Sequence, residues 1–531
     1  MDTVKFTGLE PGKTYRLEAV IYDKDTKEET RFKASHEFTP ETKDGEVDVE
    51  IEVDTTDLDG HTIVVFEKAY YGETLIADHS EPDDEKQTVY VPKVSTSAVD
   101  KTTGVKSLLK GKTSVMDTIH YENLLPGVTY RIVGKLYVKP EEGEAQETSA
   151  KESTPETKKE ETTTEGEKTE KETGSEKTVP YGQAGETVEM TFTPEKPEGD
   201  VVMTIPVETA DLEGKILVAF EVLYIGEVEV ADHTDIEDEA QTVYLPRIGT
   251  SLTDKQTGNK TTAEGLTTFT DTVSFKGLAP NVEYTLTAEV FVKGKEKDSA
   301  VASGTRTFTP ATAEGTVDVE IEIDTEGFEK EILVCFETLT VGEEKYVLAE
   351  HKDIEDVKQS VYVPKVATKA YVSTVGGEKA AYESSAFTIV DRVFYENLVV
   401  GETYTVSGIL MDKAQGAVLV VDGAPVTASV SFIAESADGY VDVTFTFNAI
   451  GLGTLTGREV VVFENLFTGD VPVKKHDDLN DVEQKITILV SNVDTSDPGK
   501  VQKFLTFFVM ALGLAAILFA TRKRFLVSGE D

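Results

Sequence analysis

The sequence predicts an all-β protein made of about four tandem β-sandwich repeats and closed by a C-terminal transmembrane helix. A histidine is followed eight residues later by a glutamine, just before a strand-like run, in HSEPDDEKQTVYVP from His79, HTDIEDEAQTVYLP from His233, HKDIEDVKQSVYVP from His351 and HDDLNDVEQKITIL from His476. The segments VDVEIEVD (47–54), VDVEIEID (317–324) and VDVTFTFN (441–448) alternate apolar and polar residues, the period of strands with one buried and one wet face. FLTFFVMALGLAAILFA (504–520) is an unbroken apolar run followed by Arg522, Lys523 and Arg524.

The chain opens on MDTVKFTGLEPGKTY (1–15), which has no signal-peptide core. It matches the middle of the later repeats, MDTIHYENLLPGVTY (116–130), TDTVSFKGLAPNVEY (270–284) and VDRVFYENLVVGETY (390–404). Repeat 1, residues 1–92, is therefore expected to be a truncated sandwich without its first strand, in a chain cut from a longer surface protein. Repeat 2 spans 93–246, repeat 3 spans 247–364 and repeat 4 spans 365–490. Each begins at a Pro-containing junction: VPKVSTSAVDKTTGVK (91–106), LPRIGTSLTDKQTGNK (245–260) and VPKVATKAYVSTVGGEK (363–379). A D-T/R-V strand, a turn ending in tyrosine, the alternating strand and a VxFE strand follow.

Residues 139–187 interrupt repeat 2 with a run of Glu, Lys, Thr, Ser and Gly. So few apolar groups cannot offset chain entropy, and the segment is expected to be a disordered excursion. A linker (491–503) leads to the apolar run at 504–520, which at about 1.5 Å per residue just spans a hydrocarbon core. The short tail 521–531 starts basic. That favours a cytoplasmic C-terminus, although Lys500 and Lys503 flank the other side.

With 531 residues and a net charge of −47, the chain repels phosphate backbones and anionic lipid, which excludes a general nucleic-acid-binding role. Its one cysteine, Cys335, rules out an internal disulfide framework or a cysteine-rich metal site. Cys335 stands where Val65, Ala219 and Val462 stand in the other repeats, so it reads as a core residue.

Superposing the three complete repeats isolates five positions. They are a first-strand threonine (Thr96, Thr250, Thr368), a second-strand aspartate (Asp117, Asp271, Asp391) and the VxFE glutamate (Glu221, Glu337, Glu464). The histidine (His233, His351, His476) and the glutamine (Gln241, Gln359, Gln484) complete the set. Repeat 1 keeps Asp2, Glu67, His79 and Gln87. Asp84, Asp238, Asp356 and Asp481, five residues after each histidine, read as turn residues. The acidic loops lack EF-hand spacing and read as solvated faces. No cofactor or metal is expected.

The VxFE strand, the H-x7-Q ending and the T-x-[AL] start resemble the VaFE-repeat, or Thr–Gln ester-bond, domains of Gram-positive surface proteins, over residues 1 to about 490. The resemblance implies immunoglobulin-like (CnaB-like) sandwiches. It also implies side-chain esters Thr96–Gln241, Thr250–Gln359 and Thr368–Gln484, promoted by the acidic residues and the histidine, with repeat 1 left uncross-linked. The chemistry is physically sound. Threonine is a weak nucleophile and a carboxamide a poor electrophile, but holding them in contact makes the step intramolecular. Two close carboxyls in an apolar setting share one proton, which can polarise the glutamine carbonyl. That pair is Asp271 and Glu337 and their equivalents, with the histidine managing the proton.

The expected product is a surface-anchored structural stalk or adhesin with autocatalytic cross-links rather than an enzyme acting on outside substrates. The alternatives are a ligand-binding adhesin, or pilin-like domains with Lys–Asn isopeptides or no cross-links. The histidine and acids would then persist through shared ancestry, and the VxFE glutamate would be structural. Expected partners are a host surface or extracellular matrix, met through a missing N-terminal region, and the membrane or cell wall at the C-terminus. No LPxTG motif occurs; VDTSDPGK (493–500) is the nearest segment.

Overall fold

In the computed structural model the described residues are 1–141, 182–373, 379–450 and 457–489. They form an all-β chain of four similar units. The expected linker, transmembrane helix and tail at 491–531 lie outside the described residues. Among those described, no helix is long and apolar enough to cross a membrane.

The third unit shows the plan. Strands Arg247–Asp254, Leu266–Lys276 and Glu314–Asp324 make a three-stranded sheet with Leu266–Lys276 in the middle. The facing sheet runs in the order Ala302–Phe308, Tyr284–Val292, Ile332–Val341, Tyr346–His351, with Ser360–Tyr362 also paired to Ile332–Val341. Strict alternation puts Tyr284, Leu286, Ala288 and Val290 inside, against Phe269, Val273, Val319 and Ile321 of the other sheet. Each strand thus spends one face on the shared core, the arrangement period-two sequences favour. The second and fourth units repeat the plan, with first strands Lys93–Asp100 and Lys365–Val372.

The recurring turn before the core tyrosine has a backbone cause. Gly8, Asn123, Gly277 and Asn397 occupy one position, Gly12, Gly127, Asn281 and Gly401 another, and all have positive φ. Glycine and asparagine are the residues that tolerate this left-handed conformation. The tyrosine then closes the turn: the hydroxyls of Tyr15, Tyr130, Tyr284 and Tyr404 accept hydrogen bonds from the amides of Glu10, Leu125, Ala279 and Val399 at 2.9–3.0 Å.

Successive units meet at these turns. Asn123 donates to the carbonyls of His61 and Val91, and Asn397 to those of Glu331 and Val363. The Tyr284 hydroxyl meets Ser107 of the preceding unit, and that of Tyr404 meets Thr261 at 2.6 Å. Only Leu245–Pro246 and Val363–Pro364 separate one unit's last strand from the next unit's first.

Two expectations need correcting. The excursion at 139–187 is shorter than expected, because Gln183–Phe192 is a strand paired with Tyr130–Val138 and Ala184 is buried in the core. Averaged composition hid that return; residues 142–181 lie outside the described set. The strand expected at 47–54 ends at Val49, because its partner Asp2–Phe6 reaches no further. In the third unit Glu314–Asp324 continues, paired along its length with Leu266–Lys276.

The first unit also has no strand beside Asp2–Phe6 other than Gly45–Val49 among the described residues. The consequence is exposure. Val89 is 50% exposed where Val243, Val361 and Ile486 are 0%, and Ile76 is 43% exposed where Leu348 is 1%. An uncovered core face and open edge lower local stability. In limited proteolysis of this chain, residues 1–92 should be cut well before the third unit; equal resistance of the two would contradict the incomplete core.

Candidate functional site

Register brings the five sequence positions together between the sheets. Thr250 lies opposite Val273, and Leu252, two residues on, lies opposite Asp271, so threonine and aspartate project inward from neighbouring strands. On the other sheet Glu337 lies opposite His351. The same pairing sets Glu221 against His233, Glu464 against His476 and Glu67 against His79. The glutamine precedes the short last strand and is fixed by its backbone on both sides. The carbonyls of Gln241, Gln359 and Gln484 accept from the amides of Ala219, Cys335 and Val462 in the VxFE strand. The carbonyls one residue earlier, of Ala240, Lys358 and Glu483, accept from Ala98, Leu252 and Ala370 in the first strand. Each of these glutamines therefore straddles the two sheets.

All these side chains but the histidines are buried. Gln241, Gln359, Gln484, Asp117, Asp271, Asp391 and Glu337 are fully enclosed, and Thr96, Thr250, Thr368, Glu221 and Glu464 nearly so. The glutamine amide donates to the VxFE glutamate: Gln241 to Glu221 at 2.7 Å, Gln359 to Glu337 at 2.6 Å, Gln484 to Glu464 at 3.3 Å. It also donates to the carbonyls of His233 and His351, both at 3.2 Å. The threonine hydroxyl donates to a member of the carboxyl pair, Thr96 to Glu221 at 3.2 Å and Thr250 to Asp271. Thr368 has no such partner and faces the site with its hydroxyl unbonded.

The carboxyls of each pair are buried together. Carboxyl oxygens of Asp271 and Glu337 lie within 4.8 Å of each other. Burial, then the charge of Asp271, pushes Glu337 up to about 10. Burial, then the charge of Asp117, raises Glu221 well above the ordinary value, burial and the hydrogen bond to Asp391 raise Glu464, and burial raises Asp117, Asp271 and Asp391. Cys335 offers a sulfur within the same 4.8 Å, but the other units have Val65, Ala219 and Val462 there. The thiol is no part of the shared arrangement.

Two features depart from the sequence reading. The glutamate stands at the amide nitrogen of glutamine rather than at its carbonyl oxygen, which is buried without a partner in all three complete units. The aspartates read as turn residues do cap the turn, accepting from the amides of Lys86, Ala240, Lys358 and Glu483. Their second oxygens also hold the histidines. His79 Nε2 lies 3.0 Å from Asp84, His233 2.8 Å from Asp238, His351 3.3 Å from Asp356 and His476 2.7 Å from Asp481. The other face of His351 reaches toward Glu337, Nδ1 to Oε2 4.0 Å. The constant H-x4-D spacing was the available signal.

In the first unit Glu67 lies 3.5 Å from His79, and burial followed by Asp2 pushes it up to about 9. Its acids, histidine and Gln87 are kept, and among the described residues no strand takes the place of the one that carries the threonine in the other units.

A buried glutamate that stays protonated makes stability depend on pH. Glu337 shifts from 4.5 to about 10 on folding, so the folded unit binds the extra proton between those values. The resulting stability is complete below about 4.5 and is lost as pH rises toward about 10. In a Thr250→Ala chain, the third unit should lose stability over that range in denaturant titrations. Adding Glu337→Gln should flatten the slope; an unchanged slope would place the proton elsewhere.

The model of the T-Q ester bond containing domain matches the chain four times, at residues 1–91, 92–245, 246–363 and 364–488. Among solved structures, a bacterial adhesin from Mobiluncus mulieris containing intramolecular disulfide, isopeptide and ester bond cross-links is similar in two crystal forms. Identity is 16%, with 54% of this chain and 91% of that chain covered and TM-scores of 0.22 and 0.21. A β-D-mannosidase from Dictyoglomus thermophilum is 10% identical over 42% of this chain and 29% of that one, with a TM-score of 0.17. Likenesses of that size carry no chemistry across. No curated protein matches the sequence. The four family matches span the described units from end to end, and the chain belongs to the T-Q ester bond containing domain family.

Proposed function

We propose that this protein is a cell-surface stalk or adhesin in which three units close their own esters, Thr96–Gln241, Thr250–Gln359 and Thr368–Gln484. The observation that carries the reading is the threefold enclosure of one threonine, one carboxyl pair and one glutamine whose amide nitrogen rests on the glutamate. The threonine oxygen attacks the glutamine Cδ, the C–N bond breaks, and ammonia leaves. The hydroxyl proton passes to the ionised member of the carboxyl pair, and the protonated member supplies the departing nitrogen. Placement of the glutamate at the nitrogen suits that second role. The histidine, oriented by the aspartate of the following turn, exchanges protons between the pair and solvent.

Nothing in this scheme uses an outside substrate, and the chain is an autocatalytic structural protein rather than an enzyme. A surface location suits a stalk of tandem T-Q ester bond containing domains. Anchoring through the apolar run at 504–520, in a membrane or cell wall, and contact with a host surface or matrix belong to the same proposal.

The intact chain should weigh less than its sequence by three ammonia molecules. Alkaline hydroxylamine should cleave the linked peptides, because esters yield to it and Lys–Asn amides largely do not. An unshifted mass would leave plain sandwiches. His351→Ala should slow the Thr250–Gln359 bond by about 100-fold, and Asp356→Asn by less, with the other two bonds unaffected in peptide mapping. Full-rate bonding in the His351 variant would remove the histidine from the mechanism.

A further inference from the structure

The three complete units share a lysine that the site described above does not use. It lies ten residues after Thr96 and Thr250, at Lys106 and Lys260, and eleven after Thr368, at Lys379. Each ends the loop after the first strand, and each turns its ammonium back onto the peptide beside the reactive glutamine. Lys106 Nζ donates to the carbonyls of Glu239, Ala240 and Thr242, the last two at 3.0 and 3.2 Å. Lys260 donates to the carbonyls of Leu252 and Lys358. Lys379 donates to those of Ala370, at 2.7 Å, and Glu483.

One contact is common to all three units, the bond to the carbonyl just before the glutamine. Ala240, Lys358 and Glu483 immediately precede Gln241, Gln359 and Gln484. Their carbonyls are also the ones that accept from the first-strand amides two residues after the threonine, at 2.9–3.0 Å. Lys260 and Lys379 each add a bond to the carbonyl of that same first-strand residue, Leu252 or Ala370. In the third and fourth units one ammonium, with its three donors, thus ties the threonine strand to the glutamine peptide, whereas Lys106 holds the glutamine segment alone. Charge-assisted bonds of this kind are about twice as strong as neutral ones. All three lysines are half-enclosed, and burial lowers their pKa values. The lysine closes DKTTGVK and the similar DKQTGNK, and also the unlike STVGGEK.

We propose that Lys106, Lys260 and Lys379 are positioning residues for ester formation, each holding the peptide that carries the reactive glutamine, with Lys260 and Lys379 also clamping it against the strand that carries the threonine. The lysine touches neither reacting side chain; it acts by fixing the backbone on which the carboxamide is mounted. A displacement of about 1 Å in a reacting group costs up to about 100-fold in rate, which sets the scale of the effect. The inference rests on the ester reading of the site.

The test uses the full chain made by cell-free synthesis, with bond formation in each unit followed by peptide mass mapping as loss of ammonia. Lys260→Met keeps the length of the stem and removes the charge; Lys260→Arg restores the charge and donors. The Met variant should form the Thr250–Gln359 bond roughly ten- to a hundred-fold more slowly, and Arg should recover most of the loss. The bonds of the second and fourth units should form at the unsubstituted rate in the same molecules. To separate positioning from folding, Thr250→Ala and Thr250→Ala/Lys260→Met chains are melted without any bond in the third unit. Unchanged bonding in Lys260→Met overturns the proposal. So does a third unit that, in the doubly substituted chain, melts below the assay temperature, since the lysine would then serve folding. Failure of every unit to lose ammonia in the unsubstituted chain would overturn the ester reading itself, and this inference with it.

Discussion

Each complete unit depends on a peptide that belongs to both of its sheets. The glutamine's own carbonyl is hydrogen-bonded to the VxFE strand, and the carbonyl before it to the first strand. Two sheets facing across a core are ordinarily joined by apolar contact, which fixes their separation but tolerates sliding. A backbone bonded to both removes that freedom where the chemistry sits. The threonine comes from one sheet, the glutamate and histidine from the other, and the glutamine from the bridge. Their meeting is a property of register, and the burial of the last strand's Val243, Val361 and Ile486 keeps the register in place.

The enclosed polar groups would destabilise a sandwich built only for strength. Gln359 keeps its side-chain oxygen buried and unpaired, as do Gln241 and Gln484. Unpaired buried acceptors cost about 1–3 kcal/mol each, and native folds rarely retain them without a reason. The cost falls at one place in every complete unit, and at that place the proposed reaction consumes the unfavourable arrangement. In that proposal the amide resting on the glutamate is the group that leaves.

Repetition made the site legible. Thr250, Asp271, Glu337, His351 and Gln359 stand far apart in sequence, and only their recurrence beside Thr96 and Thr368 marks them as a set. Strand periodicity gave the sandwich for the same reason: each alternating segment has one face on a core. What sequence could not show was orientation. Whether Glu337 meets the nitrogen or the oxygen of Gln359 depends on how two sheets pack. That Asp356 both caps a turn and holds His351 is invisible to spacing read as a turn signal alone. Lys260 stood at the end of a recognised junction segment, but nothing in a loop lysine announces that it will fold back onto Lys358. The early end of the strand at Val49 follows from the length of its neighbour, a pairing fact rather than a local one.

The short junctions between units have a consequence for how far such a chain can lengthen. Nine residue steps separate Gln241 from Thr250, and again Gln359 from Thr368. With the proposed esters closed, the shortest covalent route along the chain runs through these steps and the ester links. At about 3.5 Å per residue each junction reaches about 30 Å even when fully drawn out. Without the esters, the roughly 110 residues between Thr250 and Gln359 would add nearly 400 Å of slack per unit. The protein would then behave as a tether of nearly fixed contour length, in which unfolding a sandwich yields no extra reach.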